Sequence, residues 1–318
     1  ELCRRFDVDP GKLPQIKDSH EVIGEFSEAM AQRCGLTAGV KVLAGCGDTA
    51  ASFLASGATA PGLCVDVAGT ASVFAATTEE FRPDAEHRTL GVSQSAIPGL
   101  WNVFAYINGG GMNLEWFRRD LLSQVPGLNE HEVDFAELNR LAEESEEKLF
   151  FPLFIPHLAG RVTPADPHLR GAWVGLEWGH GLGLLYRAML EALAFEYGIY
   201  RDILGELYPD FHASELRITG GGEKSALWNR IKATVLNMTV QQITGSKGAP
   251  MGSAMLAGYG AGLFDDVDAA ARKWLEFGSR QEPDTSLKEH YRTKQQLYTR
   301  LMQQLSAFSQ EASTYSEQ

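Results

Sequence analysis

Four times in this chain a short apolar run ends in glycine. Val40 to Ala44 runs into Gly45-Cys46-Gly47-Asp48-Thr49, Leu63 to Ala68 into Gly69-Thr70, Trp101 to Ile107 into Gly109-Gly110-Gly111, and Leu216 to Thr219 into Gly220-Gly221-Gly222. Short apolar runs bounded by glycine read as buried strands. A glycine at the strand end permits a tight turn and leaves no side chain between the main chain and a ligand. The pattern therefore predicts several short buried strands that end in bare turns. One of those turns carries an acid, Asp48, at a strand tip. An acid and several strand-end glycine turns are what an enzyme needs to hold a polyphosphate and activate a nucleophile.

Position alone leaves each of these features with two readings. Asp48 serves either as a proton acceptor for a hydroxyl nucleophile or as a cap for a helix starting at Thr49. Gly69-Thr70 is either an anion-binding turn, with N–H and hydroxyl donors, or an ordinary hairpin turn between Leu63–Ala68 and Ser72–Thr77. Gly110-Gly111 precede a helix over Met112–Leu122, whose unpaired N–H groups and dipole would attract phosphate.

The 318 residues suggest about two domains. Hydrophobic content of 44% and charged content of 22% are those of an ordinary globular chain. The formal net charge of -13 argues against nucleic acid or an anionic membrane as the main partner. Cys3, Cys34, Cys46 and Cys64 have no zinc or redox spacing and read as reduced thiols of a cytoplasmic protein. No apolar stretch approaches the ~18 residues of a membrane span, and the opening Glu1-Leu2-Cys3-Arg4-Arg5-Phe6 has no signal-peptide core. His157, His168 and His180 share one segment, but their spacing fits no metal motif, and they read as structural or solvated.

Further elements follow from periodicity and caps. Ser27–Cys34 reads as a helix capped by Ser27 and closed by Gly35, after a strand at Glu21–Ile23. Phe150–Ile155 reads as a strand, residues 156–183 as a long loop, and Leu184–Leu207 as an amphipathic helix. Helices are expected over Ser225–Leu236, Met251–Gly262 and Leu287–Phe308, and a strand over Val240–Thr244. The acidic run Glu143 to Lys148 reads as a solvated helix face.

Five blocks in order carry a resemblance. They are "KLPQIKDSHEVIGEFSEAMAQRCGLTAGVKVLAGCGDTAA", "NGGGMNLEWFRRD", "RGAWVGLEWGHGLGLLYRAMLEALAFE", "ITGGGEKSALWNR" and "GAPMGSAMLAGYGAG". With them the chain resembles the FGGY carbohydrate kinases, and most closely the xylulose kinase branch, over nearly all of residues 6–265. The resemblance implies an α/β chain with an actin-like, ribonuclease H-like ATPase fold. Residues 1–62 would be the end of the N-terminal, sugar-binding domain and residues 63–318 the C-terminal, nucleotide-binding domain. It also implies that roughly two hundred residues precede Glu1, with most sugar contacts and a phosphate hairpin, so that this chain alone is incomplete.

Carried over residue by residue, the resemblance makes Asp48 the catalytic base and places Thr49 at the sugar. It puts Gly69, Thr70, Gly110, Gly111, Glu115, Gly221, Gly222, Glu223 and Ala226 at the nucleotide. The implied reaction is transfer of the γ-phosphoryl group of ATP to a ketopentose, foremost D-xylulose. Gluconate, ribulose or glycerol are alternative acceptors, and a non-catalytic nucleotide-binding module is the alternative of another class. Mg²⁺ is expected to arrive with ATP, held by phosphates and water rather than by a protein cluster; a homodimer is a further expectation. The chain departs from the family at Ala71, where many relatives carry serine, at Arg161-Val162 after Gly160, at Leu184 and at Lys247.

Overall fold

The computed structural model describes residues 1–124, 134–145, 149–213 and 215–316. Helix α1 (Leu2–Arg5) leads to a two-stranded antiparallel sheet, β1 (Val22–Glu25) and β2 (Lys41–Leu43), which flanks α2 (Glu28–Cys34). Ser27 caps α2 by accepting from the Met30 N–H, and Gly35 closes it at φ 68°. Strand β2 corrects the buried strand expected at Val40–Ala44. Its three residues are half-exposed or exposed, although Leu43 reaches Gly260, where a Cβ would stand 2.7 Å from the Leu43 Cδ1.

Helix α3 (Asp48–Ala55) then leads into the main sheet. That sheet comprises β3 (Leu63–Ala68), β4 (Ser72–Thr78), β5 (Gly91–Gln94), β6 (Trp101–Ile107), β9 (Glu215–Thr219), β10 (Val240–Ile243) and β11 (Phe277–Gln281). Between β6 and β9 lie α4 (Gly110–Glu115), α5 (Phe135–Glu143), the small hairpin β7 (Leu153–Ile155) and β8 (Ala172–Val174), and α6 (Leu182–Leu207). The later helices are α7 (Ala226–Leu236), α8 (Ala249–Gly260), α9 (Val267–Trp274) and α10 (Lys288–Ser316). The strand order is β11-β10-β9-β3-β4-β6-β5. β3, β9 and β10 run parallel, and β4, β6 and β5 extend the sheet antiparallel.

Alternation along β3 divides the core into two layers. Cys64 and Ala68 pack with α6 and α7 in the larger cluster, while Val65 packs with Phe53 of α3 on the opposite face. Leu54 of α3 joins Ile243, Met255 and Leu256 on that second face, so α3 and α8 lie together on the sheet. They approach closely because Gly252 has no side chain: a Cβ there would overlap the carbonyl oxygen of Ala51.

Several elements went unread in the sequence. Residues 156–183 are not all loop, since Ala172–Val174 pairs with Leu153–Ile155. The helix expected over Met112–Leu122 starts at Gly110 and widens to a π-helical turn over Trp116–Leu121. Of the acidic run, Glu143 closes α5 and pairs with Arg230 at 2.5 Å, and Glu144 pairs with Arg140; Glu146, Glu147 and Lys148 lie outside the described residues.

Buried charge clusters tie the elements together. One, Glu191 with Arg187 and Lys294, joins α6 to α10. On β3, Asp66 is fully buried and meets Lys232 Nζ of α7 at 2.5 Å and Tyr197 OH of α6 at 2.6 Å. On α6, Glu196 is fully buried and accepts from Tyr298 OH of α10 at 2.6 Å, with Arg161 Nη2 at 3.2 Å and His157 Nε2 at 3.4 Å. Arg161, a departure from the family pattern, is thus a counter-charge for Glu196. Burial alone would raise the Glu196 pKa, but Arg161, His157 and the Tyr298 hydrogen bond outweigh it and hold the carboxyl far below the usual carboxylate range.

Removing one partner of a buried pair strands the other charge. Lys232→Met is expected to lower the unfolding free energy by about 3–5 kcal/mol, and a loss under about 1 kcal/mol in chemical denaturation would show that the pair does not hold the layers together. Because the Glu196 pKa is depressed on folding, its contribution is present above the ordinary value of about 4.3 and drains away as pH falls toward the folded value. Arg161→Met should therefore be less stable at neutral pH and show a flatter loss of stability below about pH 5. Parallel wild-type and variant stability curves between pH 3 and pH 7 (roughly the range over which carboxylates titrate) would contradict this.

Candidate active site

Because β3 and β9 are parallel, with Val67 opposite Thr219, their C-terminal ends lie side by side. This brings the Gly69-Thr70 turn next to the triple glycine. Gly220, at φ 90°, leaves no room for a Cβ, which would stand 2.6 Å from the Ala68 carbonyl oxygen. A Cβ on Gly222 would meet the Ala68 Cβ at 2.5 Å and the Trp228 ring at 2.7 Å. The start of α4 closes the group from the other side. Gly111 N and Met112 N donate to the carbonyls of Gly69 and Thr70, each at 3.0 Å.

These last two bonds correct one expectation. The N–H groups at the head of α4 were expected to be unpaired and open to phosphate; two of them are spent on the neighbouring turn. The Gly69 N–H is likewise used, on the Ala71 carbonyl at 3.0 Å. The exposed Thr70 is left to present the turn's N–H and hydroxyl.

Beside the turns is a cavity of about 460 Å³. Gly111, Gly221 and Gly222 line it, with Trp228 and Tyr186 as apolar walls and Phe135 and Asn139 of α5 opposite. Ser225, the N-cap of α7, accepts from the Trp228 N–H at 3.2 Å and donates to Asn139 Oδ1 at 2.9 Å, bridging two sides of the cavity. The buried Lys232 lies 3.5 Å from the centre of the Trp228 ring, so the Asp66 pair supports this wall from beneath.

The other expected nucleotide residues do not line this cavity. Gly110 packs on Ser72, where a Cβ would overlap the hydroxyl. Glu115 is paired with Arg118 at 2.8 Å. Burial pushes the Glu223 carboxyl above its ordinary range, and its main-chain carbonyl accepts from Asn229 Nδ2 at 2.8 Å. Ala226 is exposed at the first turn of α7. The sequence reading missed the wall formed by α5 and Tyr186. The periodic Phe135, Leu138 and Ala142 behind the cap Asp134 signalled that helix but not its place in the fold.

Asp48 stands at the exposed head of α3, outside the cavity lining. Gly47, not Asp48, occupies the N-cap position, and Asp48 is the first helical residue. Its Oδ1 accepts from the Thr49 N–H at 2.7 Å and faces the Thr49 hydroxyl at 3.4 Å, while Oδ2 has no hydrogen-bond partner among the described residues. One oxygen is thus oriented by the backbone and the other is open. Among the described residues no group of three or more His, Cys, Asp or Glu is placed to hold a metal ion.

Comparison with known proteins agrees with this architecture. The sequence pattern of the C-terminal domain of the FGGY family of carbohydrate kinases matches residues 64–261. The chain is 25% identical to the xylulose kinase of Staphylococcus epidermidis over 92% of its own length and 57% of the relative's. It is 30% identical to the glycerol kinase of Citrifermentans bemidjiense over 86% of its length and 53% of that protein. The chain therefore spans little more than half of the curated relatives it matches. The crystal structure of xylulose kinase from Rhodospirillum rubrum superimposes with a TM-score of 0.85 at 27% identity, over 97% of this chain and 60% of that one. The fold is the actin-like ATPase fold, and the chain belongs to the FGGY family of carbohydrate kinases.

Proposed function

We propose that the protein of which this chain forms part is an ATP-dependent carbohydrate kinase acting on a ketopentose, foremost D-xylulose at its terminal hydroxyl. The observation that carries this reading is the gathering of three glycine turns at one sheet end beside a cavity lined by Gly111, Gly221 and Gly222. Bare backbone and apolar walls suit a nucleotide base, and Thr70 presents donors suited to its phosphates. The xylulose kinase relatives support the choice of sugar. The glycerol kinase relative keeps a smaller polyol as the second reading.

In this reading Asp48 takes the proton from the attacking sugar hydroxyl through its open oxygen, and Thr49 holds the other oxygen still. Residues 1–62 belong to the sugar-binding domain and residues 63–318 to the nucleotide-binding domain, in which Glu115, Glu223, Ala226 and Gly110 contribute to the nucleotide site from outside the cavity lining. Mg²⁺ supplies charge neutralisation when bound with ATP. It would be held mostly by phosphates and water; the buried Asp66 is committed to Lys232. The protein acts as a cytoplasmic enzyme, in which closure over the substrates excludes water.

Asp48→Asn in the intact protein should bind ATP as before yet phosphorylate sugar at least ~10²-fold more slowly. Undiminished turnover would remove Asp48 from the chemistry. A panel of ketoses and polyols in a coupled ADP assay should give D-xylulose the highest kcat/KM, and a preference for glycerol or gluconate would replace that assignment.

A further inference from the structure

The cavity's polar side chains are few: Lys224 with its ammonium, Tyr186 with its phenol, and Ser225 and Asn139, whose mutual hydrogen bond fixes both. Ser225 carries a single hydroxyl proton. As the cap of α7 its oxygen accepts from Trp228 N, and its proton goes to Asn139 Oδ1 at 2.9 Å. The Asn139 amide is thereby turned: its oxygen is committed to Ser225, and its Nδ2 has no partner among the described residues while the side chain lines the cavity. Phe135, one helical turn before Asn139 on α5, lines the same wall. A largely apolar slot with a neutral amide donor on its α5 wall, beside the Lys224 ammonium, has the chemistry to take an aromatic ring that bears an acceptor in its plane.

We infer that Asn139 donates its side-chain amide to a ring nitrogen of the nucleotide's purine base, and so sets base preference. The inference rests on the nucleotide reading given above. It adds α5 to the site and assigns the residue that reads the base. Pyrimidines present a smaller ring and fill the slot less well, so they bind more weakly.

The discriminating variant is Asn139→Asp. It keeps an oxygen for the Ser225 hydroxyl, so the cap of α7 and the bridge across the cavity survive, but it has no donor at neutral pH. The measurement is ADP titration of the intact protein by calorimetry, with melting temperature without nucleotide as the control. The unaltered protein should bind ADP. Asn139→Asp should bind it about 5- to 10-fold more weakly, the scale of one lost hydrogen bond, at an unchanged melting temperature. One of the 1-deaza, 3-deaza or 7-deaza analogues of ADP should show the same loss with the unaltered protein and no further loss with the variant. Equal ADP binding by variant and unaltered protein would overturn the inference and leave the nucleotide reading standing. No ADP binding by the unaltered protein would overturn both.

Discussion

The Asp66–Lys232 pair is the interaction on which the rest of the site depends. It joins the middle strand of the sheet to α7, and through Tyr197 to α6, in a place without water to solvate either charge. An isolated charge there would be prohibitive, so each group requires the other. Such a pair adds little stability over an apolar core of equal volume, but it fixes which strand faces which helix. Burial pulls the Lys232 pKa down while Asp66 pulls it up, and burial prevails. Above the ammonium lies the Trp228 ring, and above that the cavity. A charge needed for packing thus also supports the floor of the cavity.

The second constraint is the absence of side chains. Where β3, β9 and α4 meet, main chain lies directly on main chain: Gly220 on Ala68, Gly111 on Gly69. This geometry is favourable only because the N–H groups that approach find carbonyls, as Gly111 and Met112 do with Gly69 and Thr70. It uses up two N–H groups at the head of α4 and leaves the exposed Thr70 as the turn's open donor. The glycines in this group are therefore structural first. They let the turns converge, and the convergence makes a bare surface.

Much of this was legible in the residues. The β3–β4 hairpin, α6, α7 and the strand into the triple glycine follow from runs and periods that the structure reproduces within a few residues. What was not legible has physical causes. β2 has the same sequence signature as β3, yet burial depends on partners far away in the chain, which no local pattern encodes. β8 is three residues long between glycines, too short for a period. α9 shows Val267, Ala270, Ala271 and Trp274 behind the cap Asp266, a legible helix that lay unread. For the site, the glycines could be found from sequence because each follows an apolar run, a local signature, although what they make room for lies far along the chain. The cavity wall on α5 could not, because it depends on Ser225 meeting Asn139 across 86 residues.

Helix α3 has one further consequence. Ala51 and Gly252 touch backbone to backbone, Leu54 is packed among α8 and α9 residues, and at the far end Gly57 accepts from Arg217 Nη1 of β9 at 2.7 Å. The helix is thereby bolted along its length to the sheet that carries the glycine turns. Asp48, at its tip, is positioned by these contacts. Although the chain reaches this residue from the β1–β2 side, α3 ties it to the sheet that carries the glycine turns, so a closure that divides the molecule after residue 62 has to slide or bend at the α3–α8 contact, where Ala51 lies on Gly252.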